Sequence, residues 1–239
     1  MKIMHLLTQS GFALLTIVCF SLLLLQLKSA LHAIPFTDDR KRRLFRGAVA
    51  AIVLWMIFTG ALSVSGTLQN FSTFPPRIFL VLIIPLVAII WILSVKVTGT
   101  ILDNLSPAAL IGLQVFRVFV EILLWALFTT NLLPVQMTFE GRNFDILAGL
   151  SAPLIAWLYA ERRISRTVVI VWNFAGLALL INIVTIAILS MPTPIRLFMN
   201  EPANTIVTRF PFVWLPALLV PLAYGLHLLS LKQLFRRRD

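Results

Sequence analysis

The chain has 239 residues, 59% of them hydrophobic and 12% charged, with a mean hydropathy of +0.96; soluble domains use only about 45–50% apolar residues, which excludes that class. Its net charge of +11 would suggest nucleic acid in a soluble chain, but the basic residues flank apolar segments and point instead to anionic lipid headgroups, with no nucleic acid. The single cysteine, Cys19, lies inside the first apolar run, so neither an intramolecular disulfide nor a thiolate metal site is available.

Seven apolar segments follow, at about residues 6–33, 47–64, 78–95, 108–130, 146–160, 167–190 and 212–231. Six are about 18 residues or longer, near the roughly 20 needed to cross a bilayer core. The first resembles a secretory signal in position, but it exceeds the roughly 7–15 residues of a signal core and ends in a poor cleavage pattern. It is read as a span. The polar intervals are too short for a separate soluble domain, since those need roughly 50 residues.

Loop charges give the orientation. Arg40, Lys41, Arg42, Arg43, Arg46, Lys96, Arg162, Arg163, Arg166, Lys232, Arg236, Arg237 and Arg238 fall on one side, against Lys2, Arg77, Arg142, Arg196 and Arg209 on the other. The excess marks the cytoplasmic face. The expected fold is all-α: a polytopic helical membrane bundle of about seven spans, N-terminus outside and C-terminus cytoplasmic, in a bacterial-type inner membrane. Omitting the short fifth span would put Arg162 and Arg163 outside, so the charges favour seven.

Pro85, Pro153, Pro216 and Pro221 lie inside spans, where each frees a backbone carbonyl that a neighbour must satisfy. Span 5 carries Ala148, Ala152, Ala156 and Ala160 every four residues, a ridge for close helix packing within the chain, or with a protein partner or second copy through Ala148, Ala152 and Ala156. The outer connections, residues 131–145 and 191–211, mix both charges with aromatic residues and are candidate lids.

Span 4 carries the chemistry. It reads LQVFRVFVEILLWALFTT from Leu113, with Arg117 and Glu121 four residues apart on one face and Gln114 and Trp125 continuing it. A charge at mid-membrane costs roughly 2.5–3.5 kcal/mol, so two of them need a reason. One reading is a cavity that binds or translocates a small polar or anionic solute, with Arg117 holding it and Glu121 as counter-charge or proton carrier. The other is a structural Arg–Glu pair that ties helices together in a non-catalytic membrane subunit.

Candidate companions are Asn173 and Asn182 in span 6, Tyr224 and His227 in span 7, and Gln26 in span 1. Asn182 matches the span 4 pair best by depth. The outer cluster of Glu140, Arg142, Asn143 and Asp145 offers an external gate, or a cap on span 5 with Gly141 in a tight turn. A lipid-modifying enzyme is disfavoured because no nucleophile, base or metal set stands out. His5, His32 and His227 form no zinc motif. Retinal would need a lysine well inside the last helix, whereas Lys232 falls at its cytoplasmic end. Heme would need axial histidines, for which only His227, and marginally His32, are placed. No cofactor is expected.

Overall fold

The computed structural model describes residues 2–236; Arg237 and Arg238, and the Lys2 side chain, lie outside the described set. The helices are α1 (Lys2–Ala33), α2 (Asp38–Val64), α3 (Ile78–Ser94), α4 (Lys96–Asp103), α5 (Pro107–Gly112), α6 (Phe116–Thr129), α7 (Ile146–Ala160), α8 (Arg166–Leu189) and α9 (Val220–Arg236). A 3-10 turn over Leu113–Val115 joins α5 to α6 in one apolar rod, Pro107–Thr129. A π-helical turn over Leu215–Leu219 likewise leads into α9.

Among the described residues, five helical rods are long and apolar enough to cross a membrane: α1, α2, Pro107–Thr129, α8 and Leu215–Arg236. A sixth is added if α3 and α4, bent by 77° at their junction, count as one span. The described residues are all-helical, with apolar helices compatible with a membrane protein. Lys96, expected in a loop, instead begins α4. The Thr98 hydroxyl donates to the Ile92 carbonyl at 2.6 Å across that bend and satisfies one end of the broken helix.

The Leu215–Arg236 rod is the centre of the bundle: 67% of its apolar window is buried, against 22% for α1 and 17% for α2. α3, α5 and α8 pack on it, while α1 rests on α2 and α6. Pro221 has no amide hydrogen, which frees the Ala217 carbonyl four residues earlier. The Trp55 indole Nε1 on α2 donates to that carbonyl at 2.9 Å. Trp214 returns the link, donating to the Met56 carbonyl at 3.2 Å. A proline defect in the central rod thereby becomes the attachment point of a peripheral helix.

The short α7 owes its length to where it begins. Its small-residue ridge lies along the Pro107–Thr129 rod, antiparallel to it: a Cβ on Gly149 would stand 2.8 Å from the Val118 amide nitrogen, and a Cβ on Gly112 would stand 3.7 Å from that of Ala156. Ala148, Ala152 and Ala156 are buried in this contact. These three alanines are therefore covered within one chain, whereas Ala160 at the end of the ridge is exposed. α7 starts beside the middle of that rod, and residues 131–145 descend into the bundle to reach it. Irregular backbone is tolerated at such depth only where protein surrounds it.

Candidate functional site

Arg117 lies about 15 Å along its rod from Pro107, at 1.5 Å per residue, and is 1% exposed. Its carboxylate partner is Asp145, at the start of α7. Arg117 Nε donates to Asp145 Oδ2 at 2.7 Å, and Nη2 donates to Oδ1. Nη2 also reaches the Gly176 carbonyl on α8 at 3.4 Å. Nη1 donates to His227 Nε2 on α9 at 2.8 Å. One guanidinium fork thus joins α6, α7, α8 and α9.

The hydrogen-bond roles beyond Arg117 follow from its having donors only. His227 Nε2 must accept, so the ring proton sits on Nδ1 and is donated to Asn173 Oδ1 at 2.9 Å. Asn173 Nδ2 then donates to the Val169 carbonyl at 2.8 Å and to Ser230 Oγ at 3.1 Å. His227 fits because residue 176 is glycine: a Cβ there would collide with His227 Cε1 and Nε2. Trp172 covers the imidazole, their ring centroids 5.2 Å apart.

Glu121, one turn beyond Arg117, does not pair with it. Its Oε1 accepts from Asn143 Nδ2 at 2.5 Å. Asn143 is fixed on three sides, since Nδ2 also reaches the Met137 carbonyl at 3.0 Å and Oδ1 accepts the Asp145 amide at 3.1 Å. Glu121 Oε2 is buried with no partner among the described residues, as is Gln114 Oε1. Gln114 Nε2 donates to the Ala223 carbonyl at 3.1 Å. Gln114 and Glu121 are seven positions apart, so the two unsatisfied acceptors lie on one face of the rod.

Of the residues expected at the site, Arg117, Asn173 and His227 belong to this network, Gln114 and Glu121 lie along the same face, Tyr224 stands within electrostatic reach of Arg117 and Asp145, and Asn182 stands apart. Asn182 is exposed, and its side chain donates to the Arg142 carbonyl at 2.9 Å. No hydrogen bond of the Tyr224 hydroxyl is found among the described residues. The expected outer gate is dispersed. Glu140 accepts from Trp125 Nε1 at 2.5 Å on the surface, Arg142 lies over the Phe198 ring at 5.6 Å, and Asp145 points inward to Arg117. Nor does Asp145 cap α7 with its side chain. Gly141 does permit a tight turn, because a Cβ there would strike the Val135 carbonyl.

Residues not singled out from the sequence complete the assembly. Ser230 extends the network one turn beyond His227. In the outer layer, Gln136 donates to Ser190 Oγ at 2.9 Å and accepts from Asn200 Nδ2 at 2.7 Å, and Asn204 donates to the Ala187 carbonyl at 3.0 Å. The two outer connections are thereby tied to each other and to the end of α8. A three-residue spacing from His227 could have flagged Ser230; nothing local in the sequence pairs Gln136 with Asn200, 64 positions away.

Residues 73–235 match the family described as Domain of unknown function (DUF8737). The chain belongs to that family. No curated protein and no solved structure matches it. The DUF8737 region takes in α3 to α9 and holds every member of the Arg117 network together with Gln114, Glu121 and Asn143, whereas α1 and α2 lie outside it.

Proposed function

We propose that this DUF8737 protein is a seven-span membrane component, N-terminus outside and C-terminus cytoplasmic, in a bacterial-type inner membrane, and that its Arg117 network serves as a buried polar lock in a non-catalytic subunit. The observation that carries this is that four of the five Arg117 N–H groups are engaged. Its three nitrogens meet Asp145, His227 and the Gly176 carbonyl, which leaves no free fork for an anionic solute. A buried pair of this kind adds little net stability over apolar packing, yet it is costly to break from one side. Its value lies in selecting one arrangement of four helices. Basic loop residues on the cytoplasmic side contact anionic headgroups in this reading.

Seven spans require α7 to count as one, although its 15 residues cover only about 22 Å at 1.5 Å per residue. The descent of residues 131–145 to Arg117 supports that count, because the irregular segment supplies the outer part of the crossing. The deciding experiment compares Arg117→Ala, Asp145→Ala and the double substitution by thermal unfolding in detergent. A lock loses heavily in each single variant and recovers much of the loss in the double. Strictly additive losses refute it.

A second reading, binding or translocation of a small polar solute with proton coupling, is favoured by one observation: the unsatisfied Glu121 Oε2 and Gln114 Oε1 on one helix face. A small solute bearing donors fits two buried acceptors. In that case Glu121→Gln abolishes proton movement into proteoliposomes, read with an internal pH dye, while leaving the unfolding temperature unchanged.

A further inference from the structure

We infer that the cavity enclosed by α1, α2, α3, α4 and the Leu215–Arg236 rod holds one acyl chain of an anionic phospholipid whose headgroup carries hydroxyls. The cavity measures about 490 Å³, within the roughly 300–1,000 Å³ typical of ligand sites. None of the Arg117 network residues lines it. Its inner wall includes Leu102 and Leu226, each 1% exposed. Its mouth includes Ala51 on α2 and Ala88 on α3, small side chains that are themselves exposed and leave a lateral slot between these helices. The outer surface beside the slot bears Leu54 and Val87, both exposed, so the slot opens onto lipid rather than water. What enters it comes from the bilayer.

Two features select the headgroup. Gln26 lines the cavity with Oε1 buried and without a partner among the described residues, while its Nε2 is spent on the Ala109 carbonyl at 3.4 Å. An orphan acceptor calls for a donor, which a glycerol-type headgroup supplies and a choline headgroup does not. Lys28 stands four residues on from the lining residue Leu24, on the same face of α1 as the cavity. It is exposed and forms no ion pair among the described residues. A phosphate above the slot meets this unneutralised charge. The assignment to the cytoplasmic leaflet rests on the orientation proposed above; occupancy of the cavity does not.

The test uses the full chain in lipid nanodiscs with phosphatidylglycerol carrying a diazirine on its acyl chain. After illumination, label is expected on the buried wall at Leu102 and Leu226. Label confined to the perimeter at Leu54 and Val87 overturns the proposal, and this map needs no variant. Ala88→Phe, which fills the slot, should cut deep labelling at least about tenfold and spare the perimeter; unchanged deep labelling in a folded variant refutes the route. Phosphatidylcholine with the same probe should label the wall several-fold less. Lys28→Gln should lower deep labelling by phosphatidylglycerol about fivefold and leave the choline lipid unaffected. Equal labelling by the two lipids removes the anionic headgroup from the proposal.

Discussion

Asp145 grips Arg117 with both carboxylate oxygens, Oδ2 taking Nε at 2.7 Å and Oδ1 taking Nη2, although 28 positions separate the two residues. The grip fixes the level at which α7 starts, because Asp145 immediately precedes that helix. It also requires the outer segment to descend, and Asn143 on that segment reaches Glu121 one turn above. A single ion pair thus accounts for a helix too short to span and for a connection too deep to be a surface loop.

Bidentate geometry makes the guanidinium itself necessary. Arg117→Lys retains the charge but cannot meet both Asp145 oxygens, His227 Nε2 and the Gly176 carbonyl from one nitrogen. We expect it to lower the unfolding temperature nearly as far as Arg117→Ala, whose loss should be on the order of 3–5 kcal/mol. A lysine variant with native stability would show that charge alone suffices and that the fork plays no part.

Much of this arrangement is legible in the sequence. Apolar run length places the five long apolar helices, because hydrophobic patterning is local, and the α7 ridge declares itself through alanine spacing. The partner of Arg117 is not local. Helical spacing selects Glu121 as the nearest carboxylate, yet burial depth and the re-entrant path of residues 131–145 bring Asp145 closer, and nothing in a one-dimensional pattern encodes that descent. Lys96 misleads for a similar reason: a lysine after an apolar run reads as a loop, whereas here it opens a helix turned by 77°.

Gly176 should tolerate no side chain while His227 holds its place. Exposed helical positions gain about 1 kcal/mol from glycine to alanine. At residue 176 the new methyl would meet the imidazole ring, so Gly176→Ala should reverse that sign and lower the unfolding temperature by several degrees. The same substitution combined with His227→Ala should lose less than the sum of the two single losses. Strict additivity would mean that the ring and the methyl do not compete for space.

The outer connection contains an acid that should make its order depend on pH. Glu201 accepts the Ala203 amide at 2.7 Å and the Arg196 guanidinium at 3.1 Å, and these contacts, the backbone bond foremost, hold its carboxyl below the ordinary 4.5. A carboxyl whose folded value is depressed stabilises the fold above its unfolded value, and that stabilisation is lost as pH falls through the folded value. Amide exchange over residues 196–204, corrected for the intrinsic rate at each pH, should therefore show constant protection above about 4.5 and progressive loss below it. Glu201→Gln should flatten this profile. A wild-type segment equally protected across the range would show that the loop does not depend on the ionised carboxylate.

The seven-span arrangement makes a strict demand at α7. If residues 146–160 cross together with the descending segment, Arg142 and Arg163 lie on opposite sides of the membrane; if they do not cross, both lie on the same side. With Cys19→Ser as background, Arg142→Cys and Arg163→Cys change exposed side chains, so the fold should survive either substitution. A membrane-impermeant maleimide applied to intact cells should label position 142 and leave position 163 unlabelled until the membrane is opened. Lys96→Cys should behave like 163, because the proposed orientation puts both in the cytoplasm. Labelling of 142 and 163 together from outside would reduce the count to six and reverse the orientation of α8 and α9. The Arg117–Asp145 pair would survive that result, since it depends on where α7 starts and not on where α7 ends.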